Sequence, residues 1–429
     1  MFRIGPRESR ISTVGIDCDK LMGKLVVLMV TAFVDMMGGL IVFPLIPFYA
    51  EKTLGHGPLW NALNALGLGG SGAAVSLMVM MFAGAQLISA PFWGRFSDRF
   101  GRRPALMVGL GASAAAYLIF AFANSLELLF LCRIVQGAGG GTVGVIQAYV
   151  ADATEPDDRA KALGWLSAAT NAGVAIGPAL GSLAMGFGTS GPGLFAATIA
   201  LVNMAFAWSY LKESNELAGR APHERPAPRN TREVLRRVLT HGKEPASRLI
   251  WIYAITMGAF QGMTTVMALF LASGFGVTER TIGFFFTYVG TISFVTRAGV
   301  LGKLVTTLGE LRLSRYGMLL LAAGLAGMAF APNVWVLAAF VALIPLGTAF
   351  TFPCVTGLLS RVVSPHERGL YMGVQQTFGG AGRVVGPIYA GWAFDHLGHG
   401  VPFYTGAAIV ILTITIGSGL EQFIPPRKT

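Results

Sequence analysis

The chain has 429 residues, 53% of them hydrophobic and only 12% charged, with a mean hydropathy of +0.61. A soluble domain carries roughly 25% charged residues, so this composition excludes a soluble globular protein and reads as an integral membrane protein. The net charge of +11 collects between apolar stretches, as membrane topology requires. It therefore calls for no nucleic-acid partner. The chain contains no GxxxxGK[ST], HExxH or CxxC motif, so no metal or cofactor is expected.

A crossing of ~30 Å of hydrocarbon takes about 20 residues, and twelve such stretches can be drawn in chain order. They are 24–50, 73–96, 105–123, 126–151, 160–186, 192–211, 249–273, 280–304, 313–331, 333–360, 369–394 and 401–424. The expected fold is all-α, with twelve transmembrane helices in two six-helix bundles, 24–211 and 249–424. Residues 1–23 and 425–429 read as cytoplasmic tails, the first leading into an uncleaved span. With both termini inside, all but five of the 32 Lys and Arg lie at the cytoplasmic face. Lys52 and Arg280 fall outside, and Arg133, Arg297 and Arg383 fall within spans. The linker 212–248 holds nine basic and five acidic residues and four prolines. Within it Thr231–Leu239 has the spacing of an amphipathic helix on the membrane surface. Cys18, Cys132 and Cys354 are far apart and read as reduced packing residues.

In the first span Asp35 is the lone carboxylate near the middle of any span. It lies ~16 Å along the helix from Lys24 at 1.5 Å per residue. An unpaired acid there costs about 2.5 kcal/mol or more, so it either pairs with Arg133 or takes up and releases a proton. Pro44 and Pro47 break the hydrogen-bond ladder behind it and predict a bend.

Between spans two and three runs Gly-Arg-Phe-Ser-Asp-Arg-Phe-Gly-Arg-Arg-Pro, residues 94–104. Gly94 and Gly101 allow close approach or positive φ. Asp98, Arg99, Arg102 and Arg103 supply charge in a hairpin of about ten residues, and Asp152, at the end of span four, is placed to pair with Arg102 or Arg99. In span four Arg133 stands in Arg-Ile-Val-Gln-Gly, and must pair, face water or snorkel. In span five Gly173, Gly177 and Gly181 recur every fourth residue, making a flat face for close packing, with Pro178 beside it.

The halves repeat. At an offset of 209, Glu155–Arg159 matches Ser364–Arg368, and Gly164, Gly173 and Gly177-Pro178 match Gly373, Gly382 and Gly386-Pro387. The counterpart of the hairpin, Gly302–Glu310, keeps the glycine spacing and lacks an equivalent of Asp98. This reads as charge retained on one side only.

The hairpin signature resembles that of the major facilitator superfamily of transporters. The first span, with Asp35, Gly38, Pro44 and Pro47, the Arg-x-x-Gln-Gly at Arg133 and the Gly-x-x-x-Gly-Pro-x-x-Gly in span five resemble its drug:proton antiporters, nearest to tetracycline exporters. Those exporters carry acids in spans three and nine where this chain has Ala114–Tyr117 and Leu319–Gly327. The resemblance implies nested inverted repeats, a midplane site and alternating access. It also implies proton coupling at Asp35 with Arg133, and a gate formed by Gly94, Asp98, Arg99, Gly101, Arg102, Arg103 and Asp152 that closes the cytoplasmic side. Candidates for the substrate cavity are Phe33, Gln86, Gln136, Gln147, Asn171, Gln261, Phe352, Gln375, Gln376 and Arg383, with an aggregate character that is neutral to cationic and greasy. The expected protein is a monomeric proton-driven exporter of amphipathic small molecules in a bacterial inner membrane, surrounded by lipid. The alternatives are a uniporter or symporter of a defined metabolite and a non-transporting assembly or sensor protein.

Overall fold

The computed structural model describes residues 18–154, 158–211, 213, 231–364 and 367–423. Most of the expected tails, the side chain of Cys18 and the proline-rich Ala221–Arg229 lie outside the described residues. Among the described residues there are helices and no strand. The twelve expected spans all form helices. They are span 1 (Leu25–Thr53), span 2 (Ser71–Phe100), span 3 (Arg102–Ala121), span 4 (Leu126–Ala153), span 5 (Arg159–Ala184) and span 6 (Gly191–Tyr210). The second half has span 7 (Pro245–Phe275), span 8 (Ile282–Leu308), span 9 (Glu310–Ala329), span 10 (Val334–Val362), span 11 (Arg368–His396) and span 12 (Val401–Ile416). Eight are long and apolar enough to cross a membrane by themselves. The other four are spans 5, 9, 11 and 12, of which span 12 is apolar but has only 16 residues.

The glycine repeat explains how each half is built. Gly173, Gly177 and Gly181 leave no room for a Cβ against the backbone of span 1 at Phe33, Met37 and Ile41. In the second half Gly382 and Gly386 meet the backbone of span 7 at Ala254 and Gly258 in the same way. Two helices brought to backbone contact gain dispersion along their whole length, the main attraction available between helices in lipid. Pro178 and Pro387 are buried beside these contacts. The antiporter-like motif thus acts here as a packing face. A 3₁₀ turn at Phe43–Leu45 interrupts span 1 at Pro44, as the prolines predict.

The two halves meet toward the end of the molecule opposite the Gly94–Pro104 hairpin, here called the far end. Gly283 of span 8 closes on the Pro178 carbonyl, Gly290 on Ala175, and Gly391 of span 11 on Gly72 and Ser76. Polar bonds reinforce this seam. Asp395 accepts from the backbone N–H groups of Gly72 (2.9 Å) and Ala73 (2.7 Å) at the start of span 2. These are donors that a helix start leaves free. Lys52 pairs with Glu279 at 2.9 Å, and Ser182 donates to the Glu279 carbonyl and accepts from the Gly283 amide. Toward the hairpin, or basic, end the same spans diverge, and Trp165 of span 5 and Val295 of span 8 are more than half exposed.

Three expectations change. Span 2 runs on to Phe100, so Asp98 and Arg99 sit in its last turn and Gly101 alone separates spans 2 and 3. Helical hydrogen bonding continues through the polar run, because nothing before Gly101 breaks it. The amphipathic helix Thr231–Thr240 buries Val234 and Val238 against spans 7 and 11, with Trp251 donating to the Val238 carbonyl. Its apolar face is thus covered by protein. Third, charge is not confined to the first hairpin. Glu310, which follows Gly309, pairs with Arg361 of span 10 at 3.0 Å.

Candidate functional site

A cavity of about 620 Å³ lies between the halves, lined by spans 1, 2, 4 and 5 of one and 7, 8, 10 and 11 of the other. That volume is ordinary for a site that takes a small organic molecule. Its wall is largely apolar, with Phe43, Phe82, Phe260, Phe286 and Phe352 among its aromatic groups and Met36, Met257, Met263 and Met267 as adaptable filler. Of the expected cavity residues, Gln86, Gln136, Asn171, Gln261, Phe352 and Arg383 line it.

Four do not. Gln375 is fully buried and accepts a bond from Thr356 at 3.1 Å, joining spans 10 and 11. Gln147 is exposed away from the cavity wall, and Phe33 lends its carbonyl to the contact with Gly173. Gln376 stands nearer the basic end, where its amide donates to the Tyr253 hydroxyl at 3.4 Å and its Oε1 accepts from Arg383 at 3.4 Å. Glutamine in a span signals a hydrogen bond to be made. It does not signal which helix face it occupies.

Asp35 accepts a 2.8 Å hydrogen bond from the hydroxyl of Thr142, which is buried in span 4. It forms no ion pair with Arg133, and it is not part of the cavity wall. Arg133 is 3% exposed. It does not snorkel to an interface; it faces the cavity, with Nε and Nη2 unpartnered. Tyr117 of span 3 joins the two spans: its ring lies against Gly38 and Gly39 of span 1, and its hydroxyl accepts from Gln136 of span 4 at 3.3 Å. Tyr117 is not marked in the sequence, because a lone tyrosine among apolar residues carries no spacing signal.

At the basic end Arg102 is buried and bonds Asp152 (2.8 Å), Asp98 (2.7 Å) and Ser97 (2.9 Å). These bonds tie spans 2, 3 and 4 of one half together. Gly101 adopts φ +107°, as its position predicts. Gly94 is helical with open space around it. Arg99 lies over the Phe100 ring and is not a partner of Asp152. Glu213, read from sequence as linker, accepts from the backbone N–H groups of Arg102 (2.8 Å) and Arg103 (3.1 Å), satisfying the first donors of span 3. Arg103 stacks on Trp208 at 4.5 Å and donates to its carbonyl.

At the far end the hydrogen bond and charge of Lys52 hold the Glu279 carboxyl below the usual glutamate range. No cluster of three or more metal-ligating side chains occurs among the described residues.

The cavity thus lies between two helical halves, is lined by eight spans and is closed off at the far end. The sequence profile of the Major Facilitator Superfamily matches residues 28–330 and again 298–426. The chain belongs to that superfamily. Multidrug resistance protein 2 of Bacillus subtilis is 31% identical over 369 residues, covering 83% of this chain and 88% of its own. The class B tetracycline resistance protein of Escherichia coli is 27% identical, covering 86% and 88%. Among solved structures, the human organic anion transporter MFSD10 superposes with a TM-score of 0.69 at 23% identity, over 93% of this chain and 99% of that one. At that identity the likeness speaks to the fold.

Proposed function

We propose that this superfamily member exports small drug-like molecules in exchange for protons, with Asp35 as the proton-binding group. The observation that carries the reading is Asp35 itself, a mid-span carboxylate with a single hydroxyl donor and no counter-ion. Protonating it removes a charge from a low-dielectric setting, and releasing the proton restores it. The names of the two sequence relatives support export of drugs, and their coverage of nearly the whole chain supports a shared architecture.

The basic end is cytoplasmic by the rule that Lys and Arg stay inside, so the conformation described here faces the cytoplasm. Substrate enters between the diverging halves. The far-end seam, made of the Asp395 bonds, Lys52–Glu279 and the glycine contacts, must open for release. Arg102 with Asp98 and Asp152 holds the first half's basic end as one rigid block on which the halves can rock.

The test is reconstitution in proteoliposomes with an imposed pH gradient. Proton-driven accumulation of a drug-like dye by the native chain, absent in Asp35→Asn, is the expected result. Equal accumulation by both removes Asp35 as the coupling site.

A further inference from the structure

Three guanidinium groups line one cavity, and no carboxylate is among its described lining residues. Arg133 comes from span 4, Arg297 from span 8 and Arg383 from span 11. Arg133 is nine-tenths buried or more, with two nitrogens lacking partners, and the Nε atoms of Arg297 and Arg383 are likewise buried and unpartnered. Arg383 has one long bond to Gln376, which in turn reaches the Tyr253 hydroxyl. Tyr253 lines the same cavity as Arg297. Arg297 sits in a π-helical turn, Thr296–Val300, a local widening that recurs at functional sites.

A guanidinium inside a span is kept where a partner or water repays its desolvation, and an unpaired buried charge is costlier still. Three of like sign around a mostly apolar volume also repel one another. Helix gluing does not account for them, because their free nitrogens find no acceptor in the protein. Asp35 makes no salt bridge to any of them; its carboxylate accepts from Thr142, off the cavity wall. The missing negative charge is therefore one that enters with the ligand.

We infer that the substrate is an amphipathic organic anion. Its carboxylate or sulfonate is clamped by Arg297 and Arg383, whose planar forks suit such groups, with Arg133 facing it from the other half. Its apolar body rests on Phe260, Phe286 and Phe352. This inference rests on the cavity being the transport site.

Two dyes on one xanthene skeleton separate charge from shape: fluorescein methyl ester, a monoanion at pH 8, and rhodamine 123, a monocation. Fluorescence polarisation with the purified protein in dodecyl maltoside reads binding without transport. The expected result is anion binding at least about tenfold tighter than cation binding. Arg297→Gln and Arg383→Gln should each weaken the anion about tenfold, the size of one charged hydrogen bond, while cation binding rises. Arg297→Lys should restore part of the loss, which a merely structural role would not. Rhodamine 123 bound equally or more tightly by the native protein overturns the inference, as does undiminished anion binding in both folded Gln variants. If the variants do not fold, the native dye comparison decides alone. Proteoliposome uptake distinguishes the two readings. Anion-selective binding without pH-driven transport overturns export and leaves the anion site standing, whereas pH-driven export of rhodamine 123 alone overturns the anion site and leaves export standing.

Discussion

The two halves are built on one scaffold and carry different chemistry. Gly173 packs on the Phe33 carbonyl as Gly382 packs on that of Ala254, and this correspondence sets Thr256 where Asp35 stands. Thr256 is fully buried with an unpartnered hydroxyl, so the second half has no carboxylate at the equivalent point. It has Arg297 and Arg383 instead, at positions where the sequence repeat puts Ser89 and Val174 in the first half. The hairpins differ too: the first sets a cation, Arg102, after its glycine at the start of span 3 and an acid, Asp152, at the end of span 4. The second sets Glu310 and Arg361 in the corresponding places, with the charges exchanged. Duplication preserved what packs helices together, namely glycines at backbone contacts. It left side chains facing cavity and water free to diverge.

The sharpest way to break this division of labour is Asp35→Asn. Proton-driven accumulation should fall from the full gradient to a ratio of about 1, while downhill exchange of dye between equal pH compartments persists. Accumulation that survives would move proton binding elsewhere, and the asymmetry between halves would lose its meaning.

The driving force sharpens the comparison next. One proton entering as one monoanion leaves moves two charges, about 4.6 kcal/mol at 100 mV, with ~1.36 kcal/mol more per pH unit. That supports a gradient of roughly 10⁴-fold. Valinomycin in potassium removes the electrical part and should cut it to about tenfold. A neutral substrate would start near 500-fold, and a monovalent cation would not respond to valinomycin at all. The valinomycin response therefore reads the charge of the transported molecule.

The exchanged hairpins predict a graded loss of stability. Arg102→Ala removes a buried cation with three partners and should cost about 2–4 kcal/mol. Glu310→Ala breaks a single half-buried pair and should cost about 1–2 kcal/mol. Thermal unfolding in detergent measures both. Glu310→Arg combined with Arg361→Glu should recover most of the second loss, since that hairpin requires opposite charges in either order. Failure to recover would mean that Glu310 acts through something other than Arg361.

The smallest effect is expected at the far end. Lys52 and Glu279 are partly exposed, and such a pair contributes about 0–1 kcal/mol. Because the Glu279 carboxyl is depressed, its contribution is present above the usual glutamate pKa and is lost only as pH falls through the lower, folded value. Lys52→Ala should therefore raise far-end accessibility, read by labelling a single cysteine at Ser182, by no more than about fivefold at pH 7. The difference between variant and native protein should vanish in acid. A larger change at neutral pH would make this pair, and not the Asp395 bonds, the main clasp.

Much of the site was legible because membranes punish charge. Asp35, Arg133 and Arg383 stand out in apolar runs, and the cost of placing them there marks them as candidate functional residues. Their partners were not legible. Thr142, Tyr117 and Glu213 are ordinary residues in ordinary places, and only the crossing of spans 1, 3 and 4, or the return of the chain after span 6, brings them to Asp35 and Arg102. Arg361 could have been found, since it lies at the repeat offset from Asp152. The second hairpin has no second Asp98 because its bridge has the opposite polarity.

The sequence by itself determined the membrane, the twelve helices, the duplication and the helix faces that pack, because each depends on local hydropathy or on spacing along one helix. Tertiary structure alone decided which end is closed, that Asp35 bonds Thr142 instead of Arg133, and that three arginines share one cavity. Those facts depend on the rotation of each helix about its axis and on the tilt of one half against the other. In lipid these are set by packing between helices that lie far apart in the chain, and no single helix encodes them.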